Sequence, residues 1–301
     1  MFASIFGTGS RAADISSRLV PAAQMRRLWL CLLGALLALL PLRSAWADLM
    51  VAPTRIVFDK NQRAAQLDLI NSGSEIATYR ISVVNRRMSE TGEFSAIDSP
   101  GPGEQFAGEL LRYSPRQVVL APGVGQTVRI SLRKPADLAA GEYRSHLIFT
   151  KIAAPKGASS IEAEAAPSTE VSVQLTMLVG LSIPIIVRHG ETTVSATLTG
   201  LRLPTPVPGQ PVTLAFDLQR SGNRSVYGDL SATFTPLGGA AQEVGKAGGV
   251  AVYSPNPLRR VKLELKPPSA LVLARGTLRV TFRERPDAGG KLLAEAAIEL
   301  P

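Results

Sequence analysis

The sequence predicts an all-β protein made of two immunoglobulin-like β-sandwich domains. Apolar and polar residues alternate in short runs along most of the chain, as in strands that bury one face. Turn residues such as Asn71-Ser72-Gly73 and Pro100-Gly101-Pro102-Gly103 separate the runs. No long segment has the three- and four-residue apolar spacing of a helix. About seven strands in about 140 residues are typical of an immunoglobulin-like sandwich.

Residues 1–47 are predicted to be a signal peptide that is removed. The basic pair Arg26-Arg27 precedes the apolar run Leu28–Leu42, and Ala45-Trp46-Ala47 supplies the small residues that cleavage requires. The run is shorter than the roughly 20 apolar residues of a transmembrane helix. We therefore expect a mature chain that starts at Asp48 and enters an oxidising compartment without any cysteine, because Cys31 lies in the removed segment.

The first predicted domain comprises residues 48–188. Between Ala153 and Glu170 the sequence is rich in Ala, Ser, Pro and Glu and has no periodicity, which predicts a mobile loop before the last strand. The candidate strands are "TRIVF", "AAQLDLIN", "TYRISVVN", "QVVLA", "QTVRISLR", "RSHLIFTKI" and the segment Val171–Val187.

The second predicted domain comprises residues 189–301 and follows a hinge at Arg188–Glu191. No sequence repeat relates it to the first domain, so its sandwich architecture is inferred from the strand pattern alone. Its candidate strands are "TTVSATLTGLRL", "VTLAFDLQ", "LSATFTPL", "GVAVYS", "RRVKLELK", "GTLRVTFRE" and "KLLAEAAIEL".

The charge of the chain does not favour a nucleic-acid-binding protein. Removal of a signal peptide with five arginines and one aspartate lowers the formal net charge from +9 to +5. The basic residues are scattered and have few aromatic residues among them. The mature chain would contain only His146 and His189 and no cysteine, so no metal site and no cofactor are predicted. His146 is expected to be a half-buried structural residue, and His189 to make a structural hydrogen bond at the hinge.

One short motif raises the alternative of an enzyme that acts on cell-wall material. Ser131-Leu132-Arg133-Lys134 has the Ser-x-x-Lys spacing of penicillin-binding enzymes, in which a helix brings the lysine to the hydroxyl. Here the motif ends a predicted strand, so the helical context is missing. We therefore predict that the protein is not an enzyme.

The segment "VSVQLTMLVGLSIPIIV", Val171–Val187, has an apolar residue at every odd position and is about twice the usual strand length. Part of this face is expected to be core. From Val171 to Ile183 the strand carries no charge, and its one proline, Pro184, comes late. Edge strands are normally protected from pairing by charge or proline. An unprotected edge with apolar side chains therefore predicts that another chain pairs with this strand.

Four segments of the first domain stand out in order: "TRIVFDKNQRAAQLDLINSGSEIATYRISV", "SPRQVVLAPGVGQTVRI", "GEYRSHLIF" and "VSVQLTMLVGLSIPIIVR". In their order and spacing they resemble the periplasmic pilus chaperones, the PapD-like family. The resemblance covers about the whole first domain, whereas the second domain matches only in length and β character.

The resemblance implies a boomerang-shaped periplasmic protein that binds pilus or fimbrial subunits, which are immunoglobulin-like folds that lack a final strand. The last strand of the first domain would fill the groove of the subunit, and basic residues between the domains would hold the terminal carboxylate of the subunit. An outer-membrane usher is the further partner implied. Carried over by position, the inserting side chains are Val173, Leu175, Met177 and Val179, the cleft arginine is Arg55, and the interdomain salt bridge joins Glu142 and Arg188.

The sequence departs from the family at the second basic anchor. The position of the last-strand lysine of the family falls on Pro184, with Ser182 as its nearest polar neighbour, and neither side chain carries a positive charge. Either another donor acts with Arg55, or the carboxylate is held differently. The exposed strand also invites a homodimer when no client is bound. The alternative to a chaperone is a secreted two-domain adhesin or structural surface subunit.

Overall fold

The computed structural model describes residues 48–152 and 180–301, apart from residues 206, 208 and 270. The predicted signal peptide and the predicted loop between Ala153 and Glu170 lie outside the described residues. The regular secondary structure of the described chain is almost entirely β, as predicted from the alternating pattern. Its other regular elements are two short 3-10 turns, Gly108–Leu110 and Pro286–Ala288.

Eleven strands of the described chain form the first sandwich and a small hairpin. They are β1 (Leu49–Ala52), β2 (Ile56–Phe58), β3 (Ala64–Asn71), β4 (Ala77–Val84), β5 (Arg86–Met88), β6 (Phe94–Ala96), β7 (Leu111–Ser114), β8 (Gln117–Leu120), β9 (Gly125–Leu132), β10 (Gly141–Ile152) and β11 (Gly180–His189). One sheet has the order β1-β3-β9-β7, the facing sheet has the order β2-β11-β10-β4-β8, and β5 pairs with β6.

The period of two in the sequence places the core of this sandwich. In β9, Val128, Ile130 and Leu132 are buried while Arg129 and Ser131 between them are exposed. The two sheets enclose one apolar cluster that includes Phe58, Leu67, Leu147, Phe149 and Ile185. Burial of alternate apolar side chains against the facing sheet is therefore what holds the first sandwich together.

The start of the chain contributes to both sheets. Strand β1 pairs with β3 in one sheet, whereas β2, which follows it directly, pairs in parallel with β11 in the other. The second pairing is short, because it joins only Ile56–Phe58 to Ile185–Val187. On its other side, β11 pairs with β10 along its whole described length, from Gly180 to His189.

The remaining strands form a second sandwich with its own core, which includes Phe216, Phe234 and Phe282. Its sheets have the orders β12-β13-β16 and β15-β14-β17-β18. The strands are β12 (Val194–Arg202), β13 (Thr213–Gly222), β14 (Val226–Pro236), β15 (Gln242–Val252), β16 (Leu258–Glu264), β17 (Gly276–Arg283) and β18 (Leu292–Leu300).

A small apolar cluster joins the two sandwiches. Met88 and Ile186 of the first sandwich are buried together with Ala251 and Tyr253 of the second. Between β11 and β12 the chain turns at Gly190, whose φ of 65° lies in the left-handed region that favours glycine. Among the described residues, no helix has the length and apolarity needed to cross a membrane.

Candidate functional site

One edge of β11 is left without a neighbouring strand in the described part of the chain. Because β2 covers only Ile185–Val187, the backbone from Gly180 to Pro184 pairs with no described strand other than β10. Ile183 and Ile185 on the odd face are 2% and 0% exposed, whereas Leu181 is 38% exposed. The apolar odd face therefore leaves the core towards the start of the described strand. The predicted inserting residues Val173, Leu175, Met177 and Val179 lie outside the described residues.

Arg55 lies at the point where β2 begins to cover this edge. Since Ile56 pairs with Ile185, Arg55 is level with Pro184 on β11, and Pro184 in turn lies opposite His146 on β10. Pro184 therefore interrupts a row that has an arginine on one side and a histidine on the other. The neighbouring Ser182 hydroxyl is buried and has no hydrogen-bond partner among the described residues.

Two tyrosines of the second sandwich contact the Arg55 side chain. Its Nη1 donates a hydrogen bond to the Tyr253 hydroxyl at 3.1 Å. Its guanidinium carbon lies 4.3 Å from the centre of the Tyr227 ring and 5.5 Å from that of Tyr253, within cation–π distance of both. Arg55 forms no ion pair with any carboxylate of the described residues.

Arg55 also lines a cavity of about 570 Å³ between the two sandwiches. Some of its cations are neutralised, since Arg188 pairs with Asp59 and Arg285 with Asp287. The other three cations that line the cavity are Arg55, Arg224 and Lys291, and none of them forms an ion pair with a described carboxylate. The buried Nε of Arg224 also has no hydrogen-bond partner within the described ranges. The cavity lining thus has three cations and one carboxylate, Glu284, without an ion pair in the described chain, so positive charge is in excess.

The predicted pair Glu142 and Arg188 lies beside this cavity. Arg188 Nε is 3.3 Å from Glu142 Oε2, and Arg188 Nη1 is 3.4 Å from Asp59 Oδ2. Both members of the pair belong to the first sandwich. The link to the second sandwich runs through the other oxygen of Glu142, which accepts hydrogen bonds from the backbone N–H and the hydroxyl of Ser225.

Next to Tyr253 lies a buried basic cluster that the sequence reasoning missed. Arg144, 7% exposed, has its guanidinium carbon 4.2 Å from the centre of the Tyr253 ring, and its Nη2 donates to the Arg86 carbonyl at 2.9 Å. Its Nε and Nη1 have no partner in the described chain, and burial lowers its pKa. The signal was present in "GEYRSHLIF", since a strand with core residues at odd positions carries Glu142, Arg144 and His146 on its other face.

His146 is more deeply buried than predicted, because it is 3% exposed rather than half-buried. Its ring packs edge-on against Phe94 at 5.2 Å. Burial, reinforced by the charges of Arg144, Arg86 and Arg55, lowers the pKa of His146 to about 3. The imidazole is therefore neutral at physiological pH and adds no positive charge to the row that contains Pro184.

The structure does not support the enzyme alternative based on Ser131 and Lys134. Ser131 lies in β9, where its hydroxyl contacts the Arg112 carbonyl at 3.5 Å, while Lys134 Nζ donates to the Arg188 carbonyl at 2.6 Å. Ser131 also lines a cavity of about 630 Å³ over β3, β7 and β9, but Lys134 does not. No group of three or more metal-ligating side chains was found within the described ranges.

No family model matches the chain, and no curated protein matches it. Similar solved structures include a chaperone–tip adhesin complex of CFA/I fimbriae biogenesis, at 12% identity and a TM-score of 0.41 over 84% of this chain and 99% of that one. The YadV chaperone has 12% identity and a TM-score of 0.43 over 84% and 100%. The CsuC–CsuE chaperone–tip adhesion subunit pre-assembly complex from archaic chaperone-usher Csu pili of Acinetobacter baumannii has 15% identity and a TM-score of 0.40 over 84% and 98%.

Proposed function

We propose that the protein is a periplasmic chaperone that binds pilus or fimbrial subunits by donor-strand complementation and delivers them for assembly. The observation that carries this proposal is the edge of β11 from Gly180 to Pro184, which lacks a partner strand on its β2 side in the described chain and leads directly to Arg55. The resemblance of four ordered segments to the PapD-like family supports the same function.

An open strand edge binds an incomplete sandwich through two complementary interactions. Unpaired N–H and C=O groups of the backbone give affinity with little demand on the sequence of the client, and alternate side chains that enter its groove set the register. We assign the second role to Val173, Leu175, Met177 and Val179. Burial of four such side chains contributes about 6–12 kcal/mol gross, from which the costs of association and ordering must be subtracted.

The position of β2 sets where a client strand must end. A strand that pairs with the open edge cannot continue past Ile185, because β2 occupies the edge from there on. The end of the client strand therefore lies beside Arg55, whose positive charge favours a carboxylate over an ammonium group. This selects a client strand that runs parallel to β11 and ends with its C-terminus at Arg55. The charge-assisted contact is worth about 1.5–3 kcal/mol.

The same edge accounts for the other partners that we propose. Without a client it would attract a second copy of the chain, because open edges template strand pairing. A homodimer would then compete with the client, and an outer-membrane usher would receive the client after binding. The Glu142–Arg188 pair, with its hydrogen bonds to Ser225, would join the two sandwiches into one binding surface.

The test is to express the tagged chain from Asp48 in the periplasm together with the fimbrial-type genes of the host, and to identify co-purifying proteins by mass spectrometry. We expect a stoichiometric β-rich subunit that is lost in Leu175→Asp. The matched control is Thr176→Asp, which places the same charge on the opposite face and should retain the subunit. Retention by Leu175→Asp would contradict the proposal, and unfolding of that variant would assign Leu175 to the core. Fibres of the protein itself without a client would favour the adhesin alternative.

A further inference from the structure

We infer that Tyr227 and Tyr253 of the second sandwich belong to the carboxylate-binding site, where they position the Arg55 guanidinium and leave its charge available. This inference rests on the proposed function, in which Arg55 binds the C-terminal carboxylate of a client strand. The two tyrosines are positioning residues, since they act on the client through Arg55.

Tyr253 and Tyr227 hold the Arg55 guanidinium in different ways. The Tyr253 hydroxyl accepts one hydrogen bond from Nη1, which fixes the direction of the planar group. The Tyr227 ring lies 4.3 Å from the guanidinium carbon and supports the group on its face. A free arginine side chain loses many rotamers on binding, so a guanidinium that is already held in place binds a carboxylate at a lower entropic cost.

Tyrosine suits this role because it holds a cation without neutralising it. An aspartate or glutamate beside Arg55 would compete with the carboxylate of the client for the same N–H donors. Arg55 has no such partner in the described chain, and its only hydrogen bond to a side chain there goes to the Tyr253 hydroxyl. Burial raises the pKa of Tyr253, against the effects of Arg55 and Arg144, so the hydroxyl stays protonated and does not become a competing anion.

Tyr253 is itself fixed by residues of the first sandwich. Its ring is 6% exposed, Arg144 lies 4.2 Å from its centre, and Phe94 packs against it at 5.9 Å. Arg144 is anchored through the Arg86 carbonyl. The tyrosine therefore lies between two arginines and links the buried cluster to Arg55. The second sandwich thus takes part in client recognition, because its residues Tyr227 and Tyr253 hold Arg55 of the first sandwich in the cavity between the two sandwiches.

The probe is a fluorescent synthetic peptide of alternating valine and threonine residues, with lysines at its N-terminus for solubility. It is made once with a free C-terminal carboxylate and once as the carboxamide. The measured quantity is the ratio of the two dissociation constants, determined by fluorescence anisotropy. A purely structural defect reduces the amount of competent protein for both peptides and leaves this ratio unchanged.

We expect the protein to prefer the carboxylate about tenfold, which corresponds to one charge-assisted contact. Arg55→Gln should reduce the ratio to about one. Tyr253→Phe removes the acceptor but keeps the ring, and Tyr227→Leu removes the ring face; each should reduce the ratio about threefold. Tyr227→Phe keeps the ring face and should therefore keep the ratio of the unmodified protein. The control Tyr113→Phe, which removes a hydrogen bond to the Ile81 carbonyl outside the cleft, should have no effect on the ratio.

The outcomes separate the inference from the proposed function. A preference that depends on Arg55 but is unchanged in Tyr253→Phe and Tyr227→Leu would overturn the positioning role and leave the chaperone proposal intact. A ratio of about one in the unmodified protein, or no binding of either peptide, would contradict carboxylate capture at Arg55, and the inference would fail with it.

Discussion

The two halves of β11 share one sequence pattern and have different surroundings. In the second half, Ile185–Val187 lie between β10 and β2, and their side chains are fully buried. In the first half, Gly180–Pro184 have β10 as their one neighbouring strand in the described part of the chain, and Leu181 is 38% exposed. The apolar face thus stays in the core as far as Ile183 and leaves it at Leu181, whereas the backbone edge is open from Gly180 to Pro184 within the described residues. The availability of the edge depends on how far β2 extends.

The largest expected effect separates these halves directly. Ile185→Asp would place an unpaired charge in the core of the first sandwich and remove a fully buried side chain, at a cost above about 4 kcal/mol. Leu181→Asp should cost less than about 1 kcal/mol, because the side chain is partly in solvent. Urea denaturation followed by circular dichroism measures both. Equal destabilisation of the two variants would break the distinction between the halves.

A smaller effect is expected where β11 ends, at Glu142 opposite Arg188. Glu142→Ala leaves Ser225 without its acceptor and Arg188 with only Asp59, which should cost about 3 kcal/mol in the free energy of unfolding. The control Glu109→Ala removes an exposed carboxylate of the same sandwich and should change stability by about 0.5 kcal/mol or less. If the Glu142→Ala and Glu109→Ala variants were equally stable, the Glu142 carboxylate would have no structural role.

The smallest of the three effects is a pH dependence at the boundary between the halves, where His146 lies opposite Pro184. The folded pKa of about 3 is below the ordinary value of 6.5, so protonation favours the unfolded chain. The stability that the neutral His146 imidazole gives the folded chain is fully present above pH 6.5 and is lost as the pH falls towards 3. Between pH 7 and pH 4.5 the loss is about 2–3 kcal/mol.

Urea midpoints at pH 7 and pH 4.5 measure this loss. The substitution His146→Gln removes the titrating group and should reduce the difference in stability between the two pH values by about the same 2–3 kcal/mol. An unchanged difference would mean that folding does not lower the pKa of His146.

Local alternation allowed most of the strands to be predicted. The runs that became β9, β10 and β11 were recognised because period two is a property of a few consecutive residues. Strands β1, β5, β6 and β7 were missed, since strands of three or four residues show little periodicity. The start of β15 was missed as well, because glycines at 245, 248 and 249 interrupt its pattern.

By itself, the sequence determined the all-β class, the two sandwiches and the apolar face of β11, since each follows from the chemistry of neighbouring residues. The carboxylate-binding role of Arg55 and the insertion of Val173, Leu175, Met177 and Val179 stay predictions. Only the tertiary structure decided that β2 covers no more than Ile185–Val187 of the β11 edge, that Arg144 and His146 are buried, and that Arg55 meets Tyr253 from 198 positions away. Such contacts depend on which sheets pack together. No local sequence pattern specifies which strand pairs with which, or which residues bury the polar face of a strand.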